Sequence, residues 1–260
     1  MPIRNGERYL AEAVESVIGQ TLQDWELIAV LDGCTDSSQA ILEGFGDSRV
    51  RVLTMPPPGG FANALNHGLK HCSGELVARF DQDDVCMATR LDRQVAILEG
   101  QAELAVVGSA ARIIDELSRV VGFRPVISAT HQLRLRLLWR NQLIHSSVMF
   151  RRSVVMDLGG YDPLASPIFE DYDLWLRVLT HAAVDNIREP LIAYRIHAAQ
   201  QSRGSTLSRS AMRTVSKSRR KAADHAGVPL VAVWAMELAW LLAQTRHEVL
   251  VARRRGSAGG

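Results

Sequence analysis

Three aspartates are crowded into four positions of the segment LVARFDQDDV, at Asp81, Asp83 and Asp84. Carboxylates about 4 Å apart in a partly buried site repel each other by roughly a few kcal/mol, so water, protons or a cation must compensate them. Asp81 and Asp83 flank a single residue, so a turn can direct both carboxylates at one Mg²⁺ or Mn²⁺ ion, which prefers such oxygen ligands. A solvated acidic turn is the alternative interpretation.

A second chemistry also fits this segment. An apolar strand followed by DxDx[TV] resembles the nucleophile motif of haloacid dehalogenase-like phosphatases, in which a downstream lysine holds the aspartyl-phosphate. Only Lys217 and Lys221 follow the aspartates here, and both belong to a basic stretch near the C-terminus. Their position argues against a phosphatase.

The first hundred residues alternate between strand-like and helix-like patterns. Continuous apolar runs predict strands at 25–31, 49–54 and 76–80, and apolar spacing predicts helices at about 7–19, from Thr35 or Asp36 to Phe45, and from Phe61 to Leu69. This alternation is typical of an α/β unit with a parallel sheet, in which ligands bind beyond the carboxyl ends of the strands. Asp32 and the three aspartates both fall at such ends.

The following hundred residues are less regular. The sequence predicts strands at 105–114, 146–151 and 190–197, a helix in HQLRLRLLWR and a helix that opens at FEDYDLWLRVL. Acidic residues therefore begin the last of these helices, at Glu170 and Asp171.

The composition is that of a globular protein. The chain has 260 residues, 47% hydrophobic and 22% charged, which fits one large domain or a domain with an appendage. A formal net charge of +2 implies no general attraction to nucleic acid. Three cysteines without metal-binding spacing favour buried thiols in a reducing compartment.

The C-terminal part changes character after about residue 203. A basic stretch containing KSRRK precedes the apolar run 228–243, which carries Glu237, and RRR follows it. The run is too short to span a membrane, so we expect a packed or interfacial helix. The basic residues fit a solvated face or peripheral contact with an anionic membrane.

Several segments in order, from residue 2 to about 203, resemble the family 2 glycosyltransferases of the GT-A fold. They are PIRNGERYLAEAVESVIGQT, WELIAVLDGCTDSS, GGFANALNHGL, GELVARFDQDD with RLDRQ, NQLIHSSVMFRR, GGYD and FEDYDLWLRV. The resemblance implies a mostly parallel central sheet flanked by helices. It also implies a transferase domain at 1–203, with a nucleotide-binding half at 1–100 and an acceptor half at 101–203, followed by a helical basic extension at 204–260.

The resemblance further implies a nucleotide-diphosphate sugar donor and a divalent cation, Mg²⁺ or Mn²⁺. The positions that match the donor side of the family are Pro2, Arg4, Asp32, Asn66, Asp84 and Arg90, and those that match the metal side are Asp81, Asp83 and His197. Arg195, two residues before His197, is expected to reach the diphosphate or the metal.

Asp171 matches the general base of an inverting transfer, with Glu170 as the alternative base. A base is needed on the face opposite the leaving group to take the proton of the acceptor hydroxyl, and a helix N-terminus is expected to keep it ionised. His145, in IHSSVMF, is either a core residue or part of the acceptor side.

The sequence departs from the family pattern in four places. Leu31 replaces one of two paired acids before the glycine, Cys34 replaces the usual serine, and Ala88 replaces the usual proline. Only MPI precedes the first turn, so the opening strand is expected to be nearly missing or the natural start to lie upstream. If the start is real, we expect a destabilised or partner-dependent protein.

Three hypotheses follow. The first is a metal-dependent inverting glycosyltransferase that transfers to a glycan or lipid-linked acceptor in cell-surface polysaccharide assembly, in the cytoplasm or at the cytoplasmic face of the membrane. The second is a DxDx[TV]-type phosphatase. The third is a relative that binds a nucleotide-sugar without catalysis.

Overall fold

The computed structural model describes residues 1–55, 59–128, 130–166, 168–198, 200, 208–229 and 231–242. The first part of the chain contains β1 (Pro2–Ile3), α1 (Leu10–Ile18), β2 (Leu27–Asp32), α2 (Ser38–Gly44), β3 (Val50–Met55), α3 (Phe61–His71), β4 (Leu76–Ala78), β5 (Val85–Cys86) and α4 (Arg90–Gly100). The strand and helix alternation predicted from the sequence is therefore confirmed.

The later part of the chain contains β6 (Leu104–Ile114), β7 (Val120–Arg124), α5 (Thr130–Trp139), a 3-10 turn (His145–Ser147), β8 (Met149–Arg151), α6 (Arg152–Asp157), α7 (Glu170–Val178), β9 (Ala183–Arg195) and α8 (Arg209–His225). A last helix, α9, spans 231–242. Every helix within the described ranges is too short or too polar to cross a membrane.

The first sheet is parallel, in the order β1-β2-β3. Each residue of β2 is buried, which explains its unbroken apolar sequence. Strand β1 is only two residues long, pairs Pro2 with Val30, and so agrees with the short MPI segment. The sheet ends at Asp32, as the sequence predicts.

The second sheet is mixed, in the order β4-β8-β6-β9-β5, with β7 paired to β6. Its longest pair, β6 with β9, is parallel, whereas β4, β5 and β7 pair antiparallel with their neighbours. Most residue pairs in the two sheets together are parallel. Strand β4 pairs with β8 and strand β5 with β9, so the predicted halves 1–100 and 101–203 contribute strands to one sheet.

Two helix starts differ from the sequence prediction. The first helix begins at Leu10 rather than near Glu7, because residues 6–9 form a turn whose Gly6 carbonyl accepts from the Leu10 N–H. The second begins at Ser38, and the Asp36 carboxylate accepts from the Ser38 N–H at 3.1 Å. Asp36 therefore satisfies an orphan donor of this helix from outside it.

The C-terminal helices pack on the preceding part of the chain. Buried Ser218 of α8 donates to the Asp173 carboxylate of α7 at 2.6 Å, and the guanidinium of buried Arg219 lies 4.2 Å from the Trp240 ring. The apolar segment thus forms a packed helix, as predicted. Residues 204–207 and 243–260 of the predicted extension, including RRR, lie outside the described residues.

Candidate active site

A cavity of about 600 Å³ lies beyond the carboxyl ends of β2 and β4. It gathers nine of the thirteen side chains that the sequence places in the site: Pro2, Arg4, Asp32, Asp81, Asp83, His145, Glu170, Asp171 and His197. Residues 195 positions apart in the chain, Pro2 and His197, thus share one space. This is the arrangement expected at the strand ends of an α/β sheet.

The three aspartates of the DQDD turn form one cluster. One carboxylate oxygen from each of Asp81, Asp83 and Asp84 lies within 4.8 Å of the others. Asp81 and Asp83 line the cavity, whereas Asp84 is 1% exposed and lies behind them. Burial and the Asp81 charge raise the pKa of Asp83, and burial with both neighbouring charges raises the pKa of Asp84 well above its usual range.

This donor set fits a divalent cation. It offers hard carboxylate oxygens at the spacing of a coordination sphere, and the raised pKa values of Asp83 and Asp84 indicate that the cluster favours added positive charge. Asp81 and Asp83 are the residues that would hold the ion. His197 stands beside them, with its Nε2 atom 2.8 Å from Asp83 Oδ2.

Arg195 holds the aspartate turn instead of reaching into the cavity. Its Nε donates to the Asp83 carbonyl at 2.8 Å, its Nη2 to the Glu12 carboxylate at 2.6 Å and its backbone N–H to Asp84 Oδ1 at 2.9 Å. The side chain is fully buried and does not line the cavity. The expectation that Arg195 contacts diphosphate or metal is therefore not met in this structure.

Asp32 is held in a fixed orientation where it lines the cavity. The N–H groups of Gly59 and Gly60 donate to its two oxygens at 3.0 and 3.1 Å, and an Arg4 nitrogen lies 4.0 Å away. Gly60 has φ +82°, a conformation that favours glycine. Each oxygen keeps a free lone pair, so this carboxylate can still accept from a ligand.

Glu170 and Asp171 open α7 and line the same cavity. Burial raises the pKa of Glu170 to about 8, and the Asp171 charge adds to this. Burial raises the pKa of Asp171 to about 6, opposed by hydrogen bonds from the Tyr172 N–H at 2.6 Å and Asn141 Nδ2 at 2.7 Å. At pH 7 Asp171 is thus mostly ionised and Glu170 mostly neutral.

The N-terminus of α7 was expected to keep the base ionised, and Asp171 is mostly ionised at pH 7 although its pKa rises. The pKa of both acids rises because burial outweighs the helix dipole. The two acids nevertheless differ in pKa, about 8 for Glu170 and about 6 for Asp171. Only Asp171 has hydrogen-bond donors on both carboxylate oxygens, whereas Glu170 Oε2 has no partner among the described residues.

His145 is a packed residue that also lines the cavity. Its Nε2 lies 3.1 Å from the Tyr161 hydroxyl, and its ring meets Phe61 and Trp175 edge-on. Burial lowers the pKa of His145 well below its usual value, so the ring is neutral at pH 7. His145 is therefore a packed core residue at the edge of the cavity, and its place on the acceptor side stays a prediction.

Asn66 and Arg90 do not line this cavity. The Asn66 amide donates to the Tyr161 carbonyl at 2.7 Å and accepts from the Tyr161 N–H at 2.8 Å. Arg90 is fully buried, and it donates to the carbonyls of Arg79 and Val148 at 2.7 and 3.2 Å. Both side chains are committed to holding the backbone around the site.

The Asn66 clamp gives a stability prediction. Asn66→Ala leaves the Tyr161 N–H and C=O without their partners, so we expect the free energy of unfolding to fall by about 1–3 kcal/mol. Urea unfolding measures this, with Gln39→Ala on the exposed face of α2 as the control. If Asn66→Ala kept the stability of the natural protein but bound the donor more weakly, Asn66 would belong to the donor site after all.

Two side chains of the cavity were missed by the sequence reasoning. Arg79, 5% exposed, pairs with Asp81 on the cavity wall, and Asn141 orients Asp171. A charge inside the apolar run LVARF was the available signal for Arg79. No sequence pattern distinguishes Asn141 from other polar loop residues.

Known proteins with similar sequences are glycosyltransferases. The chain is 30% identical over 204 residues to the O-antigen biosynthesis glycosyltransferase WbnJ of Escherichia coli, covering 76% of this chain and 78% of WbnJ. It is 34% identical over 181 residues to the putative glycosyltransferase EpsE of Bacillus subtilis, covering 68% of this chain and 64% of EpsE. A third relative, 28% identical over 204 residues, is the E. coli enzyme UDP-Glc:alpha-D-GlcNAc-diphosphoundecaprenol beta-1,3-glucosyltransferase WfgD, with 78% and 77% of the two chains covered.

The fold agrees with these similarities. S. aureus TarS 1-349, solved with UDP-GlcNAc, superposes with a TM-score of 0.71 over 92% of this chain and 70% of TarS, at 18% identity. The predicted GT-A fold is thereby confirmed. The family model "Glycosyl transferase family 2" matches residues 1–159, more than half of the chain, and the phosphatase hypothesis falls. The chain belongs to glycosyl transferase family 2 and is a glycosyltransferase.

Proposed function

We propose that this enzyme transfers a sugar, with inversion, from a nucleoside-diphosphate sugar to a glycan or lipid-linked acceptor in cell-surface polysaccharide assembly. The observation that carries the proposal is the shared cavity, which Asp32, Asp81, Asp83 and an ionised Asp171 all line. Names of the relatives support it: WbnJ serves O-antigen biosynthesis, WfgD uses UDP-Glc and a diphosphoundecaprenol-linked acceptor, and TarS was solved with UDP-GlcNAc.

The residues that line the cavity have different roles in this reaction. Asp32, Pro2 and Arg4 hold the nucleotide, and Asp81 and Asp83, with His197 beside them, hold Mg²⁺ or Mn²⁺. When bound, the cation supplies neutralisation of the charge that develops on the diphosphate leaving group. Asp84 stays behind these ligands as a buried neighbour that interacts with them through its charge.

Asp171 acts on the acceptor. Its carboxylate takes the proton of the acceptor hydroxyl while that oxygen bonds to the anomeric carbon and the bond from this carbon to the diphosphate breaks. Attack from the side opposite the leaving group inverts the anomeric centre. Glu170, neutral at pH 7, donates a hydrogen bond to a sugar hydroxyl, and His145 packs on the acceptor side.

Release of nucleoside diphosphate tests this function. Purified enzyme is incubated with a panel of nucleotide-sugars, Mn²⁺ or Mg²⁺, and lipid-linked or glycan acceptors. We expect cation-dependent, acceptor-dependent release with one or a few donors. Tight donor binding with no release from any donor and acceptor pair would favour the non-catalytic relative instead.

The Gly59 contact predicts a donor-affinity effect. A Cβ atom at residue 59 would lie 2.5 Å from Asp32 Oδ1, so Gly59→Ala must displace the carboxylate that holds the base. We expect at least a tenfold loss of UDP affinity by calorimetry in the presence of Mn²⁺, if UDP is the nucleotide that the panel identifies. Gly44→Ala, where a Cβ meets open space, is the matched control. Equal affinities in both variants would exclude Asp32 from the nucleotide site.

The C-terminal helices support a peripheral membrane contact at the cytoplasmic face. Helix α9 leaves an apolar stripe exposed, made of Val231, Trp234, Leu238 and Leu242, which are 56–81% exposed. The exposed face of α8 next to it is cationic, with Arg213, Lys217, Arg220 and Lys221, and Arg220 lies over the Trp234 ring at 4.6 Å. An apolar stripe with adjacent cations complements an anionic bilayer surface.

Vesicle sedimentation tests the membrane contact. We expect binding to vesicles that contain phosphatidylglycerol and much weaker binding to phosphatidylcholine alone. Trp234→Gln with Leu238→Gln should weaken binding about tenfold or more, since each buried side chain contributes roughly 1.5–3 kcal/mol. Leu117→Gln, an equally exposed leucine on the β6–β7 turn, is the control. Vesicle binding that survives the double change would exclude this surface.

A further inference from the structure

Arg79 is a buried cation on the wall of an acidic cavity. It is 5% exposed, and its backbone is fixed, because its N–H donates to the Val148 carbonyl at 2.9 Å and its carbonyl accepts from Arg90 at 2.7 Å. Its guanidinium pairs with Asp81 and lies 5.5 Å from the Phe61 ring. The backbone of Arg79 is thus held in place, whereas its guanidinium can exchange Asp81 for another anionic partner.

Two features of the guanidinium point to a second partner. Its Nε atom is buried without a hydrogen-bond partner among the described residues, although a guanidinium offers five donors. Its present partner, Asp81, is also one of the two proposed ligands of the cation. A divalent ion at Asp81 places a second positive charge beside the guanidinium, so the two compete for one carboxylate.

We propose that Arg79 is the counter-ion of Asp81 in the donor-free enzyme and yields this carboxylate when a divalent cation and a diphosphate arrive together. The diphosphate then becomes the new partner of the guanidinium, because it is anchored on the same ion and guanidinium groups bind phosphate strongly. This inference rests on the proposed function, since it requires a cation at Asp81 and Asp83.

The exchange makes cation and diphosphate binding cooperative. A cation that binds alone must displace Arg79 from Asp81 and leaves the guanidinium without an anionic partner. When diphosphate binds as well, it becomes that partner. Coupling of this kind is reciprocal, so each ligand raises the affinity for the other by the same factor. Arg79 would thus limit cation binding in the absence of donor.

Electron paramagnetic resonance of free Mn²⁺ tests this with UDP as the diphosphate probe, using the full chain and a protein-free mixture to correct for UDP–Mn²⁺ complexes. We expect Arg79→Gln to bind Mn²⁺ alone at least fivefold more tightly than the natural enzyme, and to lose most of the enhancement by UDP. Arg79→Lys, which keeps the charge, should keep weak binding of Mn²⁺ alone. Arg124→Gln, which removes a cavity cation not paired with Asp81, is the control and should change Mn²⁺ affinity less.

A second pair of variants keeps the proposal testable if Arg79→Gln does not fold. Asp81→Asn frees the guanidinium, so without metal it should bind UDP more tightly than the natural enzyme, and Asp81→Asn with Arg79→Gln should lose this gain. An unchanged UDP affinity in Asp81→Asn, or a gain that persists in the double variant, would overturn the proposal.

The outcomes separate this inference from the proposed function. If Asp83→Asn abolishes Mn²⁺ binding but Arg79→Gln leaves both the affinity and the UDP enhancement unchanged, the metal site stands and the role of Arg79 falls. If Asp83→Asn leaves Mn²⁺ binding unchanged, the metal site itself is wrong.

Discussion

Replacing Asp171 with asparagine is expected to lower the transfer rate by about 10²–10⁴-fold, the usual contribution of a general base. Donor affinity should stay within about threefold of the natural enzyme, because the variant leaves the proposed nucleotide residue Asp32 and the proposed cation ligands Asp81 and Asp83 unchanged. The amide preserves the size of the side chain and still accepts from the Tyr172 N–H. Its nitrogen cannot accept from Asn141 Nδ2, so the variant loses one hydrogen bond as well as the ability to take a proton.

Glu170→Gln is the matched variant. Glu170 is neutral at pH 7, so an isosteric amide should lower the rate much less than Asp171→Asn. The rate of the natural enzyme should rise with pH through about 6, because Asp171 must lose its proton to act as a base. If Glu170→Gln abolished transfer and Asp171→Asn did not, the two acids would exchange roles.

The second large effect is expected for Asp83→Asn. The variant should lose high-affinity Mn²⁺ binding and, with it, nearly all cation-dependent transfer, since one of two proposed ligands can no longer carry charge. Calorimetry with Mn²⁺ and the nucleoside-diphosphate release assay measure the two effects. Asp24→Asn, an exposed aspartate outside this cavity, is the control.

Asp83→Asn is also expected to alter stability in a defined direction. Burial and the Asp81 charge raise the folded pKa of Asp83, so the folded chain binds this proton more tightly than the unfolded chain. Stability therefore falls as the pH rises from the unfolded pKa through the raised one, by at most about 1.4 kcal/mol for each pH unit. Asparagine imitates the protonated form, so metal-free Asp83→Asn should melt a few degrees higher than the natural enzyme at pH 8. A lower melting temperature would show that the cluster stabilises the fold without a cation.

The strand ends were the part of the site that the sequence predicted well. Asp32 and the DQDD turn follow apolar runs, and apolar runs between helices force their ends to one edge of a sheet, where the structure places both. The pairing of β4 with β8 and of β5 with β9 was not predictable from apolar runs. The partner strands lie more than 60 residues later, and short strands carry little information about their direction.

Side-chain direction was the other limit. Asn66 and Arg90 hydrogen-bond to the backbone around the site, whereas Arg79 lines the cavity from a run that looks like core. The pKa values of Glu170 and Asp171 depend on their burial and on the hydrogen bonds that only Asp171 accepts from the Tyr172 N–H and from Asn141, 30 residues earlier. Such choices are made by tertiary packing, which the spacing of residue types does not encode.

The hydrogen bonds of Arg195 also bear on when the aspartate turn becomes ordered as the chain is synthesised. One side chain ties the aspartate turn to Glu12 and to the Asp115 carbonyl, so the turn receives its final support only from a residue 111 positions beyond Asp84. A nascent chain that has emerged only to residue 159, the extent of the family match, carries all three aspartates but neither Arg195 nor β9 to hold them. On the ribosome, the aspartate turn would therefore gain its full support only after β9 has emerged.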